Sequence, residues 1–514
     1  MPETIQELPV LPGDPEKPER RKQGPAAYLS PPPEMCASVG ATLSDGKEAE
    51  QVPTQRRVYF EVFGCQMNKL DAELMMSVLY DEGYRLTPKI EDAGVVLYNT
   101  CAIREQAENR VFSKIGSIKS LKKQRPDLVI GVLGCSAQNH QKTIFQRHPH
   151  VGIVCGPGEF MRLPELITSA RRHGQVAALD LDVTPPAHRR RNLGPLQHQA
   201  YVSVMRGCDQ ACTFCVVPST RGKEVSRPVR EIVDEAKGLV DDGVREITLL
   251  GQTVNSYGKR LAKRRQIGLH HVLYELSKID DLDRISFITS HPRFMFPELI
   301  EAMGNLPKVS NYLHLPVQSG SNSVLTRMLR TYSVDEYRRV IDACREQIPD
   351  LGLATDIIVG FCGETDSEFE ETLQLVEDLQ LQGAFIFKYS EREGTRAAAL
   401  YPEDVSEAIK KERHRRVQEV VERSARKVYG SRVGRTEEVL VEGLSQLDSE
   451  RLTGRNHRHQ IVVFPTNTDR VPATSGDKLA VGPNSASLVG RFVPVRITES
   501  TNVVLVGECV GPGR

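Results

Sequence analysis

The chain lacks any long hydrophobic run. Its 514 residues contain no stretch of about 18 consecutive apolar residues, which excludes a transmembrane helix. The N-terminus also lacks the apolar core that a secretory signal peptide requires. We therefore expect a cytoplasmic protein that does not contact a membrane. In that reducing compartment the 11 cysteines are not expected to form a disulfide framework, so clustered cysteines indicate metal ligands or catalytic groups.

Net charge is absent as well. The 67 basic residues are balanced by 67 acidic ones, so the whole molecule does not attract nucleic acid, and any RNA contact must come from locally basic surfaces. A hydrophobic content of 39% and a charged content of 26% are typical of a soluble globular protein, here of about three domains.

A fourth cysteine is missing from the most informative motif. Cys208, Cys212 and Cys215 have the spacing C-x3-C-x2-C, and no further cysteine follows nearby. Closed zinc and iron–sulfur sites usually take four protein ligands, so three ligands imply one open coordination position. The spacing is similar to that of the radical S-adenosylmethionine (SAM) superfamily, in which three thiolates hold a 4Fe–4S cluster and SAM binds the remaining iron. A zinc knuckle short of one ligand and a chance cluster are the alternatives.

The first part of the chain divides into a tail and an α/β domain. Residues 1–55 are rich in Pro, Glu, Gly and Lys without periodicity, which predicts a disordered tail. Between residues 56 and 172 strand and helix patterns alternate, which predicts an open parallel sheet with helices on both faces. The predicted strands are Val58–Phe63, Gly94–Tyr98, Leu128–Leu133 and Val151–Val154, and the predicted helices are Asp71–Glu82 and Glu105–Lys123.

Cysteines follow the first three of these strands. Cys65, Cys101 and Cys135 each come directly after a strand, and the carboxyl ends of parallel strands meet at one edge of a sheet. We therefore expect them to converge into a second open cluster site. The alternative is that free cysteines simply pack at strand ends, where Cys is often buried. Cys155 follows the fourth strand and is interpreted as a buried structural thiol, although it could line the same rim.

The rest of the chain predicts two further domains after a linker at residues 173–193. That linker holds the basic run His188–Arg191, which is either solvated surface or an RNA contact. Residues 194–426 contain six strand–helix units, which predict a partial (β/α)6 barrel whose functional groups lie on the C-terminal rim of the strands. Its predicted strands are Tyr201–Met205, Glu246–Leu250, Ile285–Ile288, Tyr312–Leu315, Asp356–Val359 and Ala384–Phe387.

Residues 429–511 predict a small antiparallel β-barrel. Its predicted strands are Glu437–Val441, Gln460–Phe464, Phe492–Ile497 and Asn502–Val506. Between them we predict a basic loop, Arg451–His459, and a long loop, Pro465–Leu488. The basic loop could hold RNA through Arg451, Arg455 and Arg458, or it could be simply solvated.

Together these motifs resemble the MiaB family of tRNA methylthiotransferases, a branch of the radical SAM superfamily. The resemblance extends from about Arg56 to the end of the chain. It rests on Gly64–Asn68 with Asp71, Asn99–Arg104, Gly134–Cys135, Arg206–Cys215, Thr220–Arg227, His314–Ser321 and a C-terminal barrel similar to a TRAM domain. The chain departs from the family pattern at Ala211, where an aromatic residue is usual, at Ser219, where tyrosine is usual, and at Cys362, where proline is usual.

The resemblance implies two 4Fe–4S clusters and SAM as cofactors, and the anticodon loop of tRNA as the partner. The cluster on Cys208, Cys212 and Cys215 would cleave SAM to a 5′-deoxyadenosyl radical. The auxiliary cluster on Cys65, Cys101 and Cys135 would supply sulfur, and a second SAM would methylate it. The implied target is C2 of N6-isopentenyladenosine at position 37, modified by a monomer that needs an unidentified electron donor and sulfur source.

Alternatives within the family are the methylthiolation of threonylcarbamoyladenosine in tRNA and of an aspartate in a ribosomal protein. The alternative from another class is a non-catalytic RNA-binding protein whose cysteines hold zinc.

Polar residues at strand ends are the candidates for SAM contacts, and each could instead satisfy neighbouring backbone. They are Gln252, Asn255, Ser290, His291, Gln318 and Asp356. Arg206 and Arg221 flank the cluster motif and could bind a carboxylate or phosphate through two hydrogen bonds, and Arg221 is a candidate for RNA. A structural ion pair is the alternative for both.

Overall fold

The computed structural model describes residues 52–102, 105–181, 198–259, 261, 267–448, 450–465, 488–511 and 513–514. The predicted tail up to residue 51, the basic run His188–Arg191 and nearly all of the predicted loop at 465–488 lie outside this range. In the part of the chain that is described, no helix has the length and apolar character needed to cross a membrane.

The N-terminal unit is a six-stranded parallel sheet in the order β2-β1-β3-β4-β5-β6. Its strands are β1 (Arg57–Val62), β2 (Arg85–Leu86), β3 (Val95–Thr100), β4 (Val129–Gly134), β5 (Ile153–Cys155) and β6 (Val176–Ala178). Its helices are α1 (Gln66–Asp81), α2 (Glu105–Ser117), α3 (Lys119–Gln124), α4 (Cys135–Arg147) and α5 (Leu163–His173). Every residue of β3 and β4 is buried, because helices cover both faces of the sheet.

Four details of this unit differ from the prediction. Helix α1 starts at Gln66, directly after Cys65, rather than at Asp71. The single helix predicted over Glu105–Lys123 is two helices, α2 and α3, which meet at Ile118. The sheet also gains two edge strands, β2 and β6, and β6 falls in the segment predicted as linker. Strands of two or three residues are too short to produce a periodic pattern.

The central unit contains all six predicted parallel strands. They form two three-stranded sheets in the orders β11-β10-β7 and β12-β13-β14, alongside a two-stranded ribbon, β8-β9. The strands are β7 (Gln199–Ser203), β8 (Met205–Arg206), β9 (Val225–Ser226), β10 (Glu246–Leu250), β11 (Arg284–Phe287), β12 (Tyr312–His314), β13 (Gly352–Val359) and β14 (Gly383–Lys388). A parallel bridge between Ile285 and Val309 joins β11 to the segment that leads into β12, so the six strands form one arc.

Helices follow the strands of this arc and cover its outer side. They are α6 (Val217–Arg221), α7 (Val229–Asp241), α8 (Leu269–Ser277), α9 (Pro297–Asn305), α10 (Asn322–Arg327), α11 (Val334–Gln347), α12 (Asp366–Asp378), α13 (Arg396–Leu400) and α14 (Glu407–Gly430). The arc with its helices is the predicted partial barrel. Helix α14 packs against β14 and α12 and leads into the third unit.

The C-terminal unit is a closed five-stranded barrel in the order β15-β16-β17-β19-β18. Its strands are β15 (Thr436–Leu444), β16 (Arg451–Arg455), β17 (Ile461–Pro465), β18 (Phe492–Ser500) and β19 (Val504–Cys509). Strand β16 lies in the segment that we predicted as a basic loop; its only large apolar residue, Leu452, is fully buried. The barrel is not wholly antiparallel as predicted, because β17 and β19 pair in parallel.

The turn at residues 456–460 docks this barrel onto the central unit. Arg284 in β11 is 1% exposed and donates hydrogen bonds to the backbone oxygens of Arg455 (3.1 Å) and Asn456 (2.6 Å). The backbone oxygen of His457 accepts from Ser310 Oγ at 2.7 Å, and that of Arg458 accepts from Gln382 Nε2 at 3.0 Å. The turn therefore belongs to a domain interface.

Candidate active site

The three cysteines of the N-terminal unit lie side by side at one edge of its sheet. Val62 pairs with Asn99, and Asn99 pairs with Leu133, so the segments that follow these residues leave the sheet together. Gly64 has a φ of 128°, and a Cβ at that position would stand 2.3 Å from the Cβ of Cys101. The loops that carry Cys65 and Cys101 therefore approach each other closely at this edge. Cys65 directly precedes helix α1 and Cys135 is the first residue of α4, and the helix dipole stabilises a thiolate at such positions.

Two buried asparagines tie these loops together. The thiol of Cys65 donates to Asn68 Oδ1 at 3.1 Å. Asn68 Nδ2 donates to the backbone oxygen of Thr100 at 2.8 Å, and Asn99 Nδ2 donates to the backbone oxygen of Asn68 at 2.7 Å. Both asparagines are fully buried. Sequence reasoning assigned them no role, although their position beside the cysteines was visible.

Arg221 connects this cysteine set to the central unit. It is the last residue of α6, yet its Nε donates to Cys135 Sγ at 3.1 Å and its Nη2 donates to Asp71 Oδ2 at 2.6 Å. Arg221 is buried and paired with Asp71, as the structural alternative to an RNA contact describes. The other flanking arginine, Arg206, is also buried and donates to the backbone oxygen of Leu181 at 2.7 Å.

Neighbouring charges and burial act in opposite directions on these thiols. A hydrogen bond with Cys101 and the charge of Arg221 lower the pKa of Cys65 to about 6. Burial raises the pKa of Cys135, although Arg221 opposes that effect. A thiolate is the form of cysteine that binds metal, so the site favours the ligand form at Cys65 before any iron is present.

The second cysteine set lies on the loop between β8 and α6. Cys208, Cys212 and Cys215 are all half-buried. Cys208 Sγ lies 3.3 Å from Thr253 Oγ1, and Cys212 Sγ accepts a hydrogen bond from Arg330 Nη1 at 3.4 Å. Burial raises the pKa of Cys208 and raises that of Cys215 to about 12. At Cys208 and Cys215 burial therefore opposes ionisation, and iron would supply a cation that offsets this effect.

The donors of both sets suit an iron–sulfur cluster. Each set consists of three thiols, and all described cysteines are free of disulfides. Among the described residues, no three His, Cys, Asp or Glu side chains stand close enough to hold a single metal ion. A four-iron cluster spreads its ligands over a larger volume than a single ion does.

Two of the six candidate SAM contacts present a polar atom without a partner. Gln252 Oε1 accepts from the backbone nitrogen of Gly207 at 2.6 Å, which holds the first cluster loop against the rim. Within the described residues, Gln252 Nε2 and Ser290 Oγ are buried and have no hydrogen-bond partner. Buried polar atoms are normally satisfied, so each of these two atoms has the capacity to bond a polar ligand, and Gln252 lies beside the residue that precedes Cys208.

The Asn255 side chain and the His291 backbone form two hydrogen bonds with each other. Asn255 Nδ2 donates to the backbone oxygen of His291 at 2.9 Å, and the His291 nitrogen donates to Asn255 Oδ1 at 2.8 Å. Burial lowers the pKa of His291 to about 2, so its imidazole is neutral. The structure thus gives Asn255 the alternative role, which is to satisfy neighbouring backbone.

Gln318 and Asp356 lie on adjacent chain segments. Gln318 has a φ of 74°, and its backbone nitrogen donates to the Asp356 backbone oxygen at 2.9 Å. The Asp356 carboxylate lies 2.8 Å from His314 Nε2. Both side chains of this carboxylate–imidazole pair face a large cavity.

That cavity has a volume of about 500 Å³ and is lined by all three units. Cys65 and Cys101 contribute from the N-terminal sheet, and Arg455 and His459 contribute from the C-terminal barrel. Its wall is rich in aromatic and apolar side chains, which include Tyr201, Ile288, Tyr312, Phe385, Phe387 and Val421. A cavity of this size and composition is typical of a binding site for a small organic group.

The three barrel arginines predicted to bind RNA differ in their exposure and in their partners. Arg455 lines the cavity and pairs with Glu442 at 2.5 Å. Arg458 is buried against Asp350 and the backbone of Leu351, so in this structure it contributes to the contact between the barrel and the central unit. Arg451 pairs with Asp448, and its side chain remains 41% exposed.

Two other cysteines have structural surroundings. Cys155 is fully buried at the end of β5, and burial raises its pKa to about 12. Cys362 is buried in a small apolar cluster with Phe361 and Tyr389, against which Phe214 of the cluster loop packs.

Comparison with known proteins accounts for all three units. Residues 57–156 match the model of an uncharacterized protein family, UPF0004. Residues 202–376 match the radical SAM superfamily, and residues 430–510 match the TRAM domain. The structure is similar to that of a radical SAM methyltransferase, TsrM, from Kitasatospora setae, with a TM-score of 0.50 at 14% identity over 67% of this chain and 77% of that one. At that identity the likeness shows a shared fold alone.

Curated relatives match nearly the whole chain. One from Thiobacillus denitrificans is 42% identical over 88% of this chain and 98% of its own length. Others from Moorella thermoacetica and Methylobacillus flagellatus are 41% and 40% identical over 87% and 88% of this chain, and over 97% and 99% of their own lengths. All three are named tRNA-2-methylthio-N(6)-dimethylallyladenosine synthase. With this degree of identity over most of this chain and nearly all of each relative, the chain belongs to the family of tRNA-2-methylthio-N(6)-dimethylallyladenosine synthases.

Proposed function

We propose that this chain is a radical SAM transferase that adds a methylthio group to C2 of N6-isopentenyladenosine at position 37 of tRNA. The observation that carries the proposal is the pair of three-cysteine sets connected through Arg221, one of which opens into a cavity shared by all three units. The names of the relatives support the isopentenyl (dimethylallyl) substrate over threonylcarbamoyladenosine and over a ribosomal aspartate.

We assign the two cysteine sets to two 4Fe–4S clusters. Cys208, Cys212 and Cys215 would hold the cluster that binds SAM, and Cys65, Cys101 and Cys135 would hold the auxiliary cluster. When bound, these cofactors supply the electron, the radical, the sulfur and the methyl group that an unactivated C–H bond requires. Gln252 Nε2 and Ser290 Oγ are the strongest candidates to orient SAM, because both are buried without a partner among the described residues.

The cavity would receive the modified adenine. An adenosine in a single-stranded loop can leave its stack and enter a protein pocket. Aromatic side chains such as Tyr201, Tyr312 and Phe385 line the wall and would contact the purine and the isopentenyl group while excluding water. Cys65 and Cys101 lie in the same wall, so the auxiliary site is adjacent to the bound base.

We further propose that residues 56–172, 194–426 and 429–511 are the auxiliary-cluster, radical SAM and tRNA-binding domains of a cytoplasmic enzyme. Arg451 is 41% exposed and Arg455 lines the cavity that we assign to the base, so these two arginines of the original RNA set are our candidates for tRNA contacts. The reaction also requires an unidentified electron donor and sulfur source.

Mass spectrometry of tRNA nucleosides tests the proposal. Cells that lack the gene should accumulate N6-isopentenyladenosine and lose its 2-methylthio derivative, and the intact gene on a plasmid should restore the product. A plasmid that encodes Cys208→Ala should not restore it. Unchanged nucleosides in the deletion strain would refute the assignment.

Metal analysis separates the enzyme from the zinc-binding alternative. Two 4Fe–4S clusters predict about eight iron atoms and about eight sulfides per anaerobically reconstituted chain. Stoichiometric zinc with neither iron nor visible absorbance would support the non-catalytic alternative instead.

A further inference from the structure

Arg221 connects segments that hold both cysteine sets. It follows Cys215 by six residues along α6, and its side chain reaches Cys135 across the domain boundary. Its second partner, Asp71, follows Cys65 by six residues along α1. The Arg221 side chain therefore contacts one cysteine of the auxiliary set. It also contacts a carboxylate on the helix that follows a second cysteine of that set. The backbone of Arg221 belongs to the helix that follows the other cysteine set.

The surroundings make these contacts electrostatically strong. The side chains of Arg221 and Asp71 are 4% and 6% exposed, and charges interact more strongly in a buried environment than in water. The hydrogen bond from Arg221 Nε is directed at the Cys135 sulfur rather than at a backbone group. Hydrogen bonds to cluster sulfurs, and charges near them, set the reduction potential of an iron–sulfur cluster.

We propose that Arg221 is a positioning residue that raises the reduction potential of the auxiliary cluster, and that Asp71 limits this effect. The inference rests on the proposed assignment of Cys65, Cys101 and Cys135 as cluster ligands. Reduction adds one electron to the cluster and no proton. A cationic donor at Cys135 stabilises the more negative reduced state, whereas the Asp71 carboxylate opposes it.

Substitution of the two partners should shift the potential in opposite directions. Arg221→Gln removes the cation and is expected to lower the midpoint potential of the auxiliary cluster. Asp71→Asn retains a similar shape but removes the anion, so it is expected to raise the potential. Arg221→Lys retains the charge without the two-pronged geometry and should lie between Arg221→Gln and the unmodified chain.

The measurement is a redox titration followed by electron paramagnetic resonance on the full-length chain. Cys208, Cys212 and Cys215 are replaced by alanine in all samples, so that the signal comes from the auxiliary cluster. Arg413→Gln is the matched control, because Arg413 is also buried and paired, at 2.8 Å from Glu364. Its hydrogen bonds are to Glu364 and Asp366 of the central unit, so the potential should stay unchanged.

Each outcome decides one question. Opposite shifts in Arg221→Gln and Asp71→Asn support the inference. Unchanged potentials in both, shifts in the same direction, or an equal shift in Arg413→Gln would overturn it. If Arg221→Gln binds no iron, the midpoint potentials of Asp71→Asn and Arg221→Lys are compared with that of the sample in which both side chains are unmodified. A higher potential in Asp71→Asn and a lower one in Arg221→Lys would support the inference, and the absence of these opposite shifts would overturn it. If the parent sample with Cys65, Cys101 and Cys135 intact binds no iron, the cluster assignment itself fails.

Discussion

At the scale of single residues, two arginines donate to sulfur atoms that we assign to clusters. Arg221 contacts Cys135 at 3.1 Å, and Arg330 contacts Cys212 at 3.4 Å. Arg330 is itself held by Tyr332 and by the backbone oxygen of Pro316. Thiolates in a protected site need nearby positive charge, because an unpaired buried charge is costly. Each arginine thus gives its cysteine set a fixed cation in addition to the metal.

Substitutions in the two cysteine sets should affect two different steps of the reaction. We expect Cys208→Ala to abolish the cleavage of SAM, because it removes a ligand of the cluster that binds SAM. Cys101→Ala should retain cleavage to 5′-deoxyadenosine but lower methylthio product by more than about 100-fold, beyond the usual effect of losing a supporting residue. Liquid chromatography of both products in one reaction measures the two steps.

Cys155→Ala is the control for this experiment. Cys155 ends a strand of the same sheet but is assigned a structural role. Both products should form at normal rates in this variant. A loss of methylthio product equal to that of Cys101→Ala would mean that the auxiliary set has been assigned incorrectly.

Gly64 makes the close approach of Cys65 and Cys101 possible. In Gly64→Ala the new Cβ would lie 2.3 Å from the Cys101 Cβ, so one cysteine must move. We expect the variant to lose about half of the bound iron, one of two four-iron clusters. Iron analysis after anaerobic reconstitution measures this.

Gly174→Ala provides the comparison. Gly174 also has a positive φ, 87°, but a Cβ there would meet nothing within 4 Å. The Gly174→Ala variant should show backbone strain on the order of 1–3 kcal/mol and retain all of its iron. Equal iron loss in both variants would mean that backbone strain, rather than the contact with Cys101, is responsible.

At the scale of elements, the turn at residues 456–460 is an interdomain contact rather than an RNA-binding loop. Asn456 and Gln460 are fully buried, and their side chains hydrogen-bond to each other at 3.0 Å. His459 lies 2.6 Å from Ser286 Oγ and stacks on Tyr312 with ring centroids 5.0 Å apart. The turn thereby fixes the barrel against the central strands and forms part of the cavity wall.

His459 should make this docking sensitive to acid. Burial, with the nearby charges of Arg284 and Arg455, lowers the pKa of His459 to about 4 despite the opposing effect of Glu246. The unfolded chain takes up the proton near its ordinary pKa of about 6.5, whereas the folded chain does so only near pH 4. Stability is therefore expected to fall as the pH decreases from about 6.5 towards 4.

Urea unfolding at pH 7 and pH 5 measures this effect. In His459→Asn, which tolerates the positive φ of 60° at this position, the difference between the two urea midpoints should shrink. The exposed residue His173 provides the control, His173→Asn, in which the difference should be retained. An unchanged difference in His459→Asn would contradict the role assigned to His459.

At the scale of the whole molecule, long-range polar contacts hold the three units together around the cavity. Arg392 of the central unit pairs with Glu108 of the N-terminal unit at 3.1 Å. Gln199 donates to Glu442 of the barrel at 3.1 Å, and Arg432 pairs with Asp350 at 2.5 Å. The cavity wall depends on all three units, so its shape depends on how they are docked.

Loss of both clusters should destabilise more than one unit. A ligand that binds only the folded state stabilises it, and Arg221 connects the segments that carry the two sets. We expect chelation of iron to lower the thermal unfolding midpoint of the anaerobic protein. The chain in which Cys65, Cys101 and Cys135 are alanine should show a smaller decrease, because it has one cluster to lose. An unfolding midpoint insensitive to chelation would count against structural coupling to the clusters.

Much of the architecture was predictable from local pattern. The six strands of the central arc and the four main strands of the N-terminal sheet were predicted because short apolar runs between turns are visible along the chain. Strand β16 was missed because its sequence, Arg-Leu-Thr-Gly-Arg, has one large apolar residue between two charges. Its neighbours in the barrel complete its hydrogen bonds, and no local signal reports them.

The sequence by itself determined the expected chemistry. The spacing of three cysteines and the position of three others after strands do not depend on how the domains dock. Only the tertiary structure decided the roles of the arginines. Arg221 and Asp71 are 150 residues apart, and Arg284 and Asn456 are 172 apart. A contact over such a separation is created by the packing of whole domains, so a basic residue that looks ready for RNA in sequence can be buried against a carboxylate, a thiol or a carbonyl in the fold.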